Sequence, residues 1–121
     1  MATGLIAGAA DDLLDELAST YTYVQLHVGD PGAAGTNNPA NEDTRAAVSW
    51  AAASGGTLAS GADVTWSSVA GSETYSHFSV WSAATSGTCG FTGSISANPV
   101  TAGDTFVIPA GDLTASLDVA S

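Results

Sequence analysis

The chain has 121 residues, enough for one domain that buries roughly two thirds of its unfolded surface and too short for its core to split. Hydrophobic residues make up 45% but charged residues only 11%, against a usual ~25%, so Ser, Thr, Asn, Gly and Ala must cover most of the surface. Twelve Asp and Glu stand against one basic residue, Arg45, for a formal charge of −11, which argues against nucleic acid and anionic membranes as partners because phosphate binding needs several Lys or Arg.

Residues 5–20 read as the one helix, with Ile6, Ala9, Ala10, Leu13, Leu14 and Leu17 recurring at three- and four-residue spacing. Asp11 and Asp12 suit the positive end of its dipole, and Asp15 and Glu16 fall on its solvent side. The period then changes to two. In Tyr23-Val24-Gln25-Leu26-His27-Val28 the apolar residues Val24, Leu26 and Val28 share a face, and the strand stops at the turn Gly29-Asp30-Pro31-Gly32. Residues 33–44 lack periodicity and read as a long exposed loop, a length that in small domains tends to be functional or ordered by a partner. Further short strands are expected at 46–50, 62–66, 76–81, 88–95, 104–108 and 113–119. The last alternates cleanly, with Leu113, Ala115, Leu117 and Val119 inward. The expected fold is mainly β: a compact antiparallel β-sandwich over about 21–121 with one N-terminal α-helix, all in a single domain.

A surface of hydroxyls and small side chains loses little on burial and favours wide contact with other proteins. The one-sided charge keeps free copies apart, so salt, divalent cations or low pH should help them associate. Its bland reading is simple solubility. The lone cysteine, Cys89, has no internal disulfide partner, no stretch reaches the ~18 apolar residues of a membrane span, and Met1-Ala2-Thr3-Gly4-Leu5-Ile6 lacks the basic start of a signal peptide. Synthesis in a cytoplasm, with release by another route such as lysis, is the expectation.

Candidate chemistry is sparse. His27 and His77 lie in expected strands and could share a metal if those strands were adjacent, but no ligand spacing supports it, and hydrogen bonding to neighbouring strands is the plainer role. Cys89 has no neighbouring cation in sequence to lower its pKa, and no Gly-x-Ser-x-Gly elbow occurs. No catalytic, cofactor or metal residues are assigned. Candidate interface residues are Asp30, Pro31, Asn37 and Asn38, if the turn throws the long loop across a neighbouring subunit, with an ordinary tight turn as the alternative. Arg45 joins them as the only cation among twelve acids, due to find a carboxylate within the fold or across an interface. So does Trp81: Trp50 and Trp66 alternate with core valines, whereas Trp81 lies opposite Phe78 and Val80 and is a candidate interface or ligand aromatic.

Several strings are familiar together: Leu26-His27-Val28-Gly29-Asp30-Pro31-Gly32, Arg45-Ala46-Ala47-Val48-Ser49-Trp50, His77-Phe78-Ser79-Val80-Trp81, and the ending Thr101-Ala102-Gly103-Asp104-Thr105-Phe106-Val107-Ile108-Pro109-Ala110-Gly111-Asp112-Leu113-Thr114-Ala115-Ser116-Leu117. In order and spacing they resemble a family of small tailed-phage proteins, common in phages of actinobacteria and usually labelled tail fibre, minor tail or head decoration proteins. The resemblance implies a virion component, assembled in the host cytoplasm, that packs against its own copies and against major capsid or tail proteins. With no coiled-coil or collagen-like segment, the size suits a capsid decoration subunit best, a trimer being the expected oligomer. The alternatives are a minor tail or fibre-associated module and, from another class, a carbohydrate-binding module for host surface glycans.

Overall fold

The computed structural model describes residues 4–117, so the expected positions of Asp118 and Val119 on the last strand lie outside the described residues. Helix α1 (Ala7–Thr20) begins after an extended Ile6 without a side-chain cap and ends at an extended Tyr21. Its Ala and Leu content favours helix, but the anticipated apolar stripe divides in two. Ala10 and Leu14 are buried and Leu17 half-buried, while Ile6 and Leu13 stay 69% and 55% exposed. Acids set this rotation: Asp11 Oδ1 accepts the Gly56 N–H at 2.7 Å and Asp15 Oδ1 the Ala53 N–H at 2.9 Å, tying the helix to the 53–56 turn. Asp15 is therefore exposed yet engaged, not merely solvated.

The strands are β1 (Tyr23–His27), β2 (Ala46–Ala47), β3 (Thr57–Ala59), β4 (Val64–Trp66), β5 (Glu73–Trp81), β6 (Cys89–Val100), β7 (Phe106–Ile108) and β8 (Thr114–Ser116). They form a four-stranded sheet in the order β2-β1-β5-β6 and two ribbons, β3-β8 and β4-β7, with every pairing antiparallel. Val24 and Leu26 of β1 stand opposite Val80 and Phe78 of β5, and these four meet Val64, Trp66, Phe106 and Ile108 of the β4-β7 ribbon in the core. The protein is mainly β with one helix and sandwich-like packing. α1 lies against β3, and β2 against β4. On the opposite side, β6 and β7 are separated by an open groove.

Departures from the expected strands have local causes. Residues 46–50 pair only at Ala46 and Ala47, after which Val48 N–H bonds Thr22 O and the chain crosses to β3 through the Trp50–Ser60 bridge. β3 carries no period-two signal in its Ser/Gly/Ala surroundings; it exists because β8 supplies its ladder. β6 runs on through Pro99, which a terminal strand tolerates. Val28 lies beyond the end of β1 and is exposed.

Where β6 crosses the core, Gly93 has no side chain because the Phe78 ring occupies its place. A Cβ there would stand 2.7 and 2.8 Å from ring carbons Cζ and Cε1, and Phe78 is itself buried. Gly93→Ala is expected to cost about 1–3 kcal/mol by overpacking, read as a lowered urea midpoint. Gly8→Ala, with nothing near its Cβ in the first turns of α1, should leave stability unchanged or raise it by up to about 1 kcal/mol.

Candidate functional site

The chemistry-bearing residues gather on the face of the four-stranded sheet that points away from the core, and the long loop lies over them. At the turn after β1, Asp30 Oδ1 accepts the Gly32 N–H at 2.8 Å, and Gly32 has φ +76, where any other residue is strained. Asn38 Nδ2 donates to Asp30 O at 2.9 Å, and Asn37 N–H donates to Pro31 O at 2.9 Å. The loop then crosses the sheet as far as β6. A Cβ on Gly35 would meet Cys89 Sγ at 2.5 Å and Thr92 Cγ2 at 3.7 Å. It returns along β1, with Val28 N–H on Asn38 O and Ala40 N–H on Leu26 O. The long loop is exposed along most of its length, as expected, and also folds onto its own sheet: Asp30, Asn37 and Asn38 keep exposed surface, whereas Pro31 is fully buried within the fold.

A chain of hydrogen bonds runs beneath it. The Trp81 indole N–H donates to Ser79 Oγ at 2.7 Å, Ser79 Oγ lies 2.7 Å from His27 Nε2, and His27 Nδ1–H donates to Asn37 O at 2.8 Å. The Asn37 carbonyl can only accept, so Nδ1 carries a proton; burial favours the neutral ring, and Nε2 is then the acceptor of the Ser79 hydroxyl. His27 and Ser79 are both 0% exposed. Burial lowers the His27 pKa from its usual 6.5, more than the carbonyls of Asn37 and Asn38 raise it, and His77 opposite lowers it further.

Arg45 closes the network from above. Its guanidinium carbon lies 4.0 Å from the centroid of the Trp81 ring, Nε donates to Gln25 Oε1 at 3.1 Å, and Nη1 donates to Ala83 O at 2.9 Å and Ser86 O at 2.6 Å. The one cation is thus a clamp between β1 and the β5–β6 hairpin turn. It makes no ion pair with a carboxylate among the described residues, contrary to expectation within the fold; neutral oxygens and a π face hold it instead. Partial burial lowers its pKa. Trp81, expected as an outward aromatic, is only 8% exposed because the guanidinium roofs it.

His77 stands directly opposite His27 in the ladder, with Nδ1 bonded to Ser76 Oγ, but no third His, Cys, Asp or Glu joins them as a metal-holding group among the described residues. The Cys89 thiol is half-buried, and burial raises its pKa. The indole N–H groups of Trp50 and Trp66 are taken by Tyr21 O and Thr44 O. Tyr75 is fully buried, its hydroxyl has no partner among the described residues, and burial with Glu73 and Glu42 nearby pushes its pKa up to about 12. Sequence reasoning missed the Ser79–His27 contact, which spans 52 positions and carries no local signal.

A polar network sealed by the chain's own loop holds the β module in shape. The chain belongs to a family of phage fibre proteins: the family described as podophage GP4 fiber I protein gp80 matches residues 14–116. No curated protein matches. Family membership makes the chain a phage structural protein and a virion component, and no helix among the described residues is long and apolar enough to cross a membrane.

Because His27 is held neutral with its pKa lowered, an unfolded chain takes up a proton before the native one does. Native stability is full above about pH 6.5 and is lost as pH falls through the lowered His27 value. The urea midpoint should drop across mildly acidic pH, and His27→Gln should flatten that dependence. Arg45→Ala is expected to cost about 1–2 kcal/mol through the lost carbonyl bonds and cation–π contact, and Arg45→Lys should recover only part of it, both read by thermal melts.

Proposed function

We propose that this chain is a non-enzymatic, fibre-associated subunit of a phage tail that works by permanent packing against copies of itself, as a symmetric oligomer with a trimer expected, and against neighbouring tail proteins. The family match over residues 14–116 carries this reading, because its description names a fibre. The site supports it: the imidazole, hydroxyl and guanidinium that might have done chemistry are turned inward and hydrogen-bonded to one another or to backbone. Capsid decoration, which the size alone favours, has no such support beyond the shared role in a virion. The actinobacterial link rests on the sequence strings alone. A glycan-binding role needs exposed aromatic platforms, yet Trp66 and Trp81 are buried and all three indole N–H groups have internal acceptors.

Assembly in the host cytoplasm followed by incorporation into the particle agrees with an acidic, hydroxyl-rich surface. Purified virions labelled through this chain should show the label at the tail, at a copy number that is a small multiple of the tail's symmetry. Label spread over the head in hundreds of copies would replace the fibre reading with capsid decoration, and absence from particles would remove both.

A further inference from the structure

We propose that the free edge of β6, with the groove beside it, is the surface on which a second copy of this chain joins by backbone pairing. The proposal rests on the reading of the chain as a multi-copy subunit and names the surface that does the joining. β6 is the longest strand and ends the four-stranded sheet; its outer edge has no strand partner among the described residues, nor has the outer edge of β7 across the groove. An unpaired row of N–H and C=O groups is a template for another strand, and proteins that must stay single defend such edges with lysines and other charges. Along residues 91–94 that defence is missing, and Pro99 and the bulges, which can serve the same purpose, lie outside this run. No Asp, Glu, Lys or Arg occurs anywhere in residues 74–103, although the chain carries twelve acids elsewhere.

The neutrality also indicates the occupant. Two copies with a formal charge of −11 each repel over most of their surface and approach most easily where carboxylates are absent, along this hairpin. A basic partner would be drawn instead to the acidic helix and loops. Register shifts next to Trp81 and Tyr75 leave Phe91, Thr92, Gly93 and Ser94 as the regular run, paired on one side with β5. The groove, of about 770 Å3, starts at Ser94 and continues past it along Ile95, Ser96 and Asn98, facing Val107, which stays 39% exposed, and Asp112, so its lining is largely polar. A strand added at residues 91–94 and running on past Ser94 would reach this groove, so backbone hydrogen bonding supplies most of the contact and Ile95 and Val107 the apolar part. A two-fold axis sets β6 against its own copy and a three-fold sets it against β7 of the neighbour; the same edge serves either.

Sedimentation velocity of the full chain from low to high micromolar concentration tests this. The wild type should form a defined oligomer, and the double variant Thr92→Lys with Ser94→Lys, both at exposed positions, should sediment as a monomer with unchanged circular dichroism. Two added lysines lower the net negative charge and would by themselves favour association, so dissociation reports on the edge. Thr65→Lys, on the exposed face of β4, should keep the oligomer. If the double variant fails to fold, hydrogen exchange of the wild type decides: those amides of residues 91–94 that point away from β5 should exchange about tenfold slower at high than at low concentration. A wild type that is monomeric throughout, an oligomer that survives both lysines, an oligomer lost equally with Thr65→Lys, or exchange independent of concentration would overturn the proposal. A monomer that is still found on the tail sinks this surface alone, whereas absence from virions sinks the fibre reading.

Discussion

His27 is the residue on which the arrangement of the outer face depends. A four-stranded sheet in a chain this short has one face for the core and another that water would otherwise cover. The chain covers that second face with its own loop, and the imidazole is the link: one nitrogen on Ser79 of the sheet, the other on the Asn37 carbonyl of the loop. Both nitrogens must be engaged, because a buried polar atom left unmatched costs about 1–3 kcal/mol. The loop conformation, the ring's tautomer and the placement of Trp81 are consequences of that one requirement.

The acids serve a second purpose beyond solubility. In a chain with one cation, carboxylates find their partners among backbone N–H groups: Asp11 and Asp15 hold the 53–56 turn, Glu73 receives the N–H groups of Asn41 and Glu42, Asp63 that of Ala110, and Asp104 that of Thr101. Each bond satisfies a donor that the short, broken strands leave without a ladder partner. Much of the negative charge is therefore built into loop geometry, and neutralising it would loosen the turns as well as reduce repulsion.

How much of this the sequence disclosed follows from the range of each interaction. Periodicity is local, so α1, β1 and the β5–β6 hairpin were legible, as was the inward-facing pair Val24 and Leu26. The turn at Asp30 and Gly32 was legible as well, because its chemistry lies within four residues. What lay hidden was every contact made across the sheet. Strand alternation places Trp81 on the side opposite Phe78 and Val80, but nothing local shows that this side is covered by residues 31–37 and by Arg45. Composition singles out Arg45 and points to a carboxylate within the fold or across an interface; within the fold, position gives it an indole face, the Gln25 amide oxygen and two turn carbonyls instead. β3 left no trace because its three residues are held by a strand more than fifty positions away.

The choice of arginine for the lone cation has a wider consequence. A planar guanidinium can lie flat on an indole while its edge donates to three oxygens, which an ammonium cannot do. With that group committed inside the fold, the outer surface offers hydroxyls, amides, small apolar side chains and carboxylates, and almost no positive charge to meet a carboxylate on a neighbouring copy. If copies associate as proposed, their cohesion comes from apolar burial and hydrogen bonds, neither of which weakens as salt screens charge, while the opposing repulsion does weaken. Under that proposal, contacts between copies are firmest where ionic strength is high, the reverse of contacts made by salt bridges.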